Sequence, residues 1–251
     1  RGSGKSYIMG VIAEELAKKN KNVGIVVVDP VGVFWSMKYP NKEEKEIGLM
    51  PDWGLTPEGL ENLRVFIPEG IKSQTPKETY DATFTMQPSL LTSDDWCLTY
   101  GIDRFSPTGL LLEKALRKVA YGYETLEGQK APAKKRAYSL NDLVACLETD
   151  AELNSRDKGY KQDSIRALVS RFEAAKSWGI FSDRGTPLAD ISKENQLTVI
   201  DTSFLDDSVT ALVIGTLARR LLAARKLSTR KEAAKKFQES DAGDVLESEI
   251  P

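Results

Sequence analysis

The stretch Arg1-Gly2-Ser3-Gly4-Lys5-Ser6-Tyr7 constrains this chain more than any other. Gly4, Lys5 and Ser6 fill the last three positions of G-x-x-x-x-G-K-[ST], the phosphate-binding loop, whose first glycine would fall two residues ahead of Arg1. Gly2 and Gly4 let the backbone curl so that successive N–H groups point at phosphate oxygens. The helix that follows aims its positive end at the same anion. In such a loop Lys5 reaches the β- and γ-phosphates and the Ser6 hydroxyl takes a place on Mg²⁺. Gly2, Ser3, Gly4, Lys5, Ser6 and Tyr7 are therefore the candidate nucleotide-binding residues, and ATP with Mg²⁺ the expected ligand. A polar, flexible chain start would also read this way. The context favours the loop, because an amphipathic pattern follows at once and then a buried strand ending in Asp.

That context is the run KSYIMGVIAEELAKKN, with Ile8, Val11, Ile12 and Leu16 at helical spacing. The run NVGIVVVDP follows, apolar at nearly every position as a buried parallel strand is. Further strands are expected at Leu63–Ile67, in ATFTMQPS and in NQLTVIDTS. Between them, from Thr92 on, the pattern is helical. TSDDWCLTYGI opens on a capping signal, SPTGLLLEKALRKVAYGYETL is strongly amphipathic, and SLNDLVACLE and DSIRALVSRFEAAKSWGIF follow. The reading is an α/β fold, a P-loop core with a mostly parallel sheet and a helical insertion. Residues 1–91 would form the first part of the core and 92–190 a mainly helical insertion. Residues 191–226 return to the core with a strand and a long helix, and 227–251 form a charged linker.

Chemistry is narrowed by what the composition lacks. The chain has no histidine, which removes Ser-His-Asp catalysis, His-based zinc sites and a histidine base together. Cys97 and Cys146 form no CxxC pair, which fits a reducing cytoplasm. The most apolar helix is interrupted by Arg219 and Arg220 before it reaches the roughly 20 residues of a membrane span. Two strands end in acids, at Asp29 and Asp201, and neither is followed by Glu. Asp29 lies where ligands of open α/β sheets bind and is the tentative catalytic acid. Asp201 reads as a strand-end residue.

With a net charge of −2, no global basic field advertises nucleic acid, so such a partner must be held by local loops. The candidates are Lys130, Lys134, Lys135 and Arg136 in one loop and Arg156, Lys158 and Lys161 in another. A solvated loop kept soluble by charge is the alternative. No base-reading motif accompanies either cluster, so any contact would be largely independent of sequence.

In this order, RGSGKSY, GIVVVDPVGVFWSMK, RVFIPEG, LTSDDWCLTYGI and SRFEAAKSWGIFSDRGTPLADISKENQLTVIDTSFLDD resemble the HerA-like ATPases, relatives of the FtsK-like DNA pumps. The resemblance runs from Arg1 to about Arg225. It implies a RecA-like core, a hexameric ring, and ATP-driven translocation or unwinding of double-stranded DNA. It also implies a partner such as a NurA-like nuclease or another effector, with Asp29 as the family's acid near the active site. The family's Walker B strand, ending in Asp-Glu, follows the long helix and a linker. Here it is expected beyond Pro251, together with an arginine that reaches a neighbour's nucleotide, so this segment alone is expected to be inactive. The match departs from the family at Val31 and Val33, where an acidic or histidine residue is common. Two other readings stay open: an ATP-dependent switch that regulates a partner without pumping DNA, and a small-molecule kinase.

Overall fold

The computed structural model describes residues 4–157 and 159–247, with the side chains of the last helix described through Lys235. Four strands form one sheet, β1 (Ile25–Asp29), β2 (Leu63–Pro68), β3 (Ala82–Phe84) and, late in the chain, β6 (Leu197–Asp201). Their spatial order is β1-β6-β2-β3 and every pairing is parallel. Parallel neighbours need crossovers, and here these are residues 30–62, 69–81 and 85–196, the last of which carries most of the helices. Helix α1 (Lys5–Lys19) covers one face and α8 (Asp207–Glu247) the other, with two one-turn helices, α2 (Glu44–Ile47) and α7 (Leu188–Ile191), in connections.

Strand alternation sorts the core. Leu63, Val65, Leu197 and Val199 meet Ala13 and Ala17 of α1. Phe66 and Ile200 point the other way, to Val209, Val213 and Leu217 of α8. The face that α1 turns to the sheet carries small residues. Ala13 and Ala17 are buried, and Gly10 lies against Phe34, whose ring is 3.5 Å from where a Cβ would stand. Ile8, Val11, Ile12 and Leu16, the apolar set at helical spacing, lie on the exposed side. Small side chains let the helix axis come close beneath the crossing segment that follows β1.

The helical middle comprises α3 (Ser93–Tyr100), α4 (Pro107–Tyr121), α5 (Leu140–Thr149) and α6 (Gln162–Lys176). A two-stranded hairpin, β4 (Tyr123–Glu124) and β5 (Lys130–Ala131), interrupts it. This unit has its own core, in which Trp96 stacks on Tyr100 at 5.3 Å and meets Phe172 edge-on at 5.1 Å. Thr92 caps α3 and Ser139 caps α5, each in a reciprocal box with the Asp three residues on. The same Asp95 receives both Arg219 guanidinium nitrogens, at 2.9 and 2.7 Å, which joins α3 to α8. Burial works against the Asp95 charge, but Arg219 and the Thr92 donors hold its carboxyl below the usual range.

Two joints tie the helical unit to the sheet. Just past β2, the Gly70 N–H donates to the Gly179 carbonyl at 2.9 Å, and the two α-carbons are so close that neither residue has room for a Cβ. Beside the extension of β3, Met86 N–H donates to the Ile180 carbonyl and Ser182 N–H to the Met86 carbonyl. Thr85 donates its N–H to Thr186 Oγ1, and its hydroxyl shares a hydrogen bond with Ser182. Residues 179–186 thus lie along β3 as an irregular fifth rung, where the sequence pattern indicates only the end of a helix. At the other extreme, residues 227–247, whose composition reads as a charged linker, continue α8 as helix.

Candidate phosphate-binding site

Five residues separate the end of α1 from β1, so the strand runs back alongside the helix and the first turn of α1 sits at the carboxyl end of the sheet. That is the edge where open parallel α/β sheets bind their ligands. Gly4 stands at φ 72°, in the left-handed region that glycine enters without strain, and turns the chain into the helix. No side chain caps α1 and no acid occupies its first turn, which holds Lys5, Ser6 and Tyr7, all exposed. Helices α3 and α5, by contrast, satisfy their own first amides with a Thr or Ser and an Asp. Among the described residues, then, the α1 terminus alone of these three leaves its donors and its positive pole to solvent. The donor set fits a polyphosphate: Lys5 to pair with phosphate oxygens, the amides to cradle them, and the Ser6 hydroxyl to reach a magnesium ion. The bound ion would neutralise charge on the phosphates. Gly2 and Ser3 lie outside the described residues.

Beside this terminus stands a tightly organised turn. The Asp29 carboxylate, 1% exposed, accepts four backbone N–H groups: Val31 and Gly32 on Oδ1 at 3.0 and 2.9 Å, Val33 and Phe34 on Oδ2 at 2.7 and 2.8 Å. Pro30 carries no N–H and so competes for neither oxygen. Asp29 is therefore committed to holding the 31–34 turn, and in this arrangement it presents no free lone pair as a base. The same geometry explains Val31 and Val33. Those positions contribute their amides, while their side chains stay 62% and 39% exposed. Gly32, at φ 73°, comes so close to Ser203 that a Cβ would stand 2.5 Å from its hydroxyl.

Asp201, paired in register with Asp29 across the strand ends, accepts the Ser203 N–H at 2.9 Å and its O–H at 2.6 Å on one oxygen. Burial pushes the Asp201 carboxyl up, the two Ser203 donors pull it down, and the charge of Asp29 adds to the rise. Two acids thus meet at the sheet edge, one consumed by backbone and one half-satisfied. Sequence reasoning places both at strand ends but cannot see this division, because the deciding partners are main-chain amides.

Asp29→Asn keeps one oxygen and replaces the other with an NH₂ group facing two backbone donors. The expected cost is about 2–3 kcal/mol, the desolvation of two unmade hydrogen bonds. It is read as a lower urea midpoint at unchanged slope. An unchanged midpoint would show that the turn does not depend on the carboxylate.

The basic loops lie elsewhere. Lys130 is on β5, Lys134 is drawn into an ion pair with Asp142 at 3.3 Å, and Lys135 adopts φ 52°. The Arg136 carbonyl accepts the Ser89 hydroxyl, which sets this loop beside the segment leaving β3. Arg156 and Lys161 follow the other end of α5, with Lys161 as the first residue before α6. Lys130 pairs across the hairpin with Glu124, whose carbonyl accepts the Ala151 N–H just past the end of α5, while Lys134 meets Asp142 at the start of that helix. Lys158 lies outside the described residues. No helix among the described residues is long and apolar enough to cross a membrane, and no group of three or more metal-ligating side chains occurs among them.

Comparison with the curated proteins finds no match to the chain. Among family models, the one described as "Helicase HerA, central domain" matches residues 2–221. Its span takes in α1, the four strands of the parallel sheet, the helical unit and α8 as far as position 221. The chain belongs to the family of the HerA helicase central domain, a family of P-loop ATPase motor domains.

Proposed function

We propose that this chain is the ATP-binding motor core of a DNA-moving ATPase. It binds Mg·ATP at the start of α1 and, in the whole protein, uses hydrolysis to translocate or unwind double-stranded DNA. The observation that carries this reading is the uncapped, acid-free terminus of α1, with Lys5 and Ser6 in its first turn, at the carboxyl edge of an all-parallel sheet. Family membership supports an ATPase, and assemblies in this family are typically oligomeric. A hexameric ring is the proposed assembly, in the cytoplasm, with a NurA-like nuclease or another effector as partner. In that setting Asp29 shapes the turn beside the phosphates, and Lys130, Lys135, Arg136, Arg156 and Lys161 are candidate backbone contacts.

The competing reading is a nucleotide switch that regulates a partner without pumping DNA. ATP turnover by the full-length protein separates the two. A motor turns over faster when random-sequence duplex is added, by about tenfold or more. Turnover indifferent to duplex belongs to the switch.

A further inference from the structure

A run of positive charge lies on α8 past its packed part. The whole chain carries a net charge of −2. Yet between positions 220 and 235 the helix places Arg220, Arg225, Lys226, Arg230, Lys231 and Lys235 against the single acid Glu232. A helix of 41 residues extends about 60 Å, whereas the five-residue strand it packs behind spans about 16 Å. The excess length projects past the amino-terminal edge of the sheet. Exposure follows that geometry: Leu217 is buried, and from Leu222 to Lys235 every residue but Ser228 is exposed.

The cations are also largely unspent. Arg225 lies 3.6 Å from Glu232, which Ser228 also engages. Among the described residues Arg220, Lys226, Arg230, Lys231 and Lys235 make no ion pair. At 100° per residue the six cations fall on all sides of the helix rather than along one stripe. Leu222 and Leu227 are the large exposed apolar residues of the segment, and they stand about 140° apart around the helix. A helix that lies in a membrane surface needs a continuous apolar face opposite its charges, and this one has none. A helix charged on all sides suits a ligand that can surround it with phosphates. At 10–12 Å across with side chains, it matches the roughly 12 Å width of a duplex major groove.

We infer that the segment Arg220–Lys235 of α8 is a sequence-independent binding surface for the phosphate backbone of duplex DNA, distinct from the basic loops at 130–136 and 156–161. The choice of DNA as the polyanion rests on the ATPase reading above; the surface itself rests on the charge and the projection of the helix. Its position, at the end of the sheet opposite the phosphate site, lets duplex be held there without blocking nucleotide.

The test is fluorescence anisotropy with a labelled 30-base-pair random duplex, at a series of salt concentrations, on the full-length protein. The variants are R225Q/K226Q/R230Q/K231Q and, for the loop, K130Q/K135Q/R136Q. Glutamine keeps helix propensity and the replaced side chains are exposed, so circular dichroism should be unchanged. The helix variant is expected to bind at least about tenfold more weakly at 100 mM salt. The slope of log affinity against log salt should fall by about 3 to 4, as four lost phosphate contacts require. The charge-retaining variant K226R/K231R should bind like the wild type. Equal affinity and equal slope in the helix variant would overturn the inference. So would tighter binding to vesicles containing 30% phosphatidylserine than to duplex at the same ionic strength. ATP turnover without DNA, measured in parallel, keeps the two readings apart. Wild-type protein that binds duplex but does not hydrolyse ATP defeats the ATPase reading, while the helix variant still decides this one.

Discussion

Replacing Lys5 with alanine is expected to lower ATP turnover of the full-length protein by about 100-fold or more. The reason is local and electrostatic. The first turn of α1 offers amides and a helix pole, which orient phosphates, but Lys5 is its one full positive charge. A preorganised cation aimed at developing negative charge contributes about 3 kcal/mol or more to such a transition state. The loss should not come from unfolding, since the Lys5 side chain is exposed and has no ion-pair partner among the described residues. The melting temperature is therefore expected to stay within a degree or two while turnover collapses. Ser6→Ala should behave as a milder version, with the deficit partly relieved by raised magnesium. A K5A protein that hydrolyses ATP at the wild-type rate would place the nucleotide elsewhere.

Gly179→Ala is expected to be among the most damaging single substitutions in the fold, costing about 3–4 kcal/mol. Two costs combine. A φ of 66° strains any residue with a Cβ by about 1–2 kcal/mol. In addition, the new Cβ would stand 2.4 Å from the Gly70 α-carbon, so backbone must part and the 2.9 Å bond between these glycines goes with it. The rung at Met86 and Ile180 follows directly, so the helical unit would lose its registration on the sheet edge. Gly54 provides the internal control. It has the same φ of 66° but nothing within 4 Å of where a Cβ would stand, so Gly54→Ala should cost only about 1 kcal/mol. The difference between the two urea midpoints isolates the crossing from the conformational strain. Equal losses would mean that the close approach carries no energy of its own.

These two glycines mark a boundary of what a sequence discloses. Periodicity and capping are local, and they are legible: the apolar runs of β1 and β6, the Thr92 cap with Asp95, and the amphipathic pattern of α4 all stand where the residues indicate. What depends on distant backbone is not. Nothing around Gly70 or Gly179 announces a crossing between positions so far apart in the chain. Asp29 looks like a catalytic acid because its type and place fit that role, and only the four amides that converge on it reveal a turn-holding carboxylate. In α1 the buried face is made of Gly10, Ala13 and Ala17, which carry little weight on any hydrophobicity scale, so the larger Ile8, Val11, Ile12 and Leu16 point to the wrong side. Lys134 illustrates the same limit among charges. It reads as a free loop cation, yet Asp142, on the next helix, comes within 3.3 Å. The distal part of α8 reads as a linker because charge without apolar periodicity resembles one. Its continuation as an exposed helix is what turns a charged run into a surface.

The most direct measurement is steady-state ATP turnover of the full-length protein as random-sequence duplex is titrated in, run beside the K5A variant. Turnover is expected to rise with duplex, by about tenfold or more at saturation, and to stay near background in K5A at every duplex concentration. Turnover that ignores duplex, or that survives the loss of Lys5, would contradict a DNA-driven motor built on the first turn of α1.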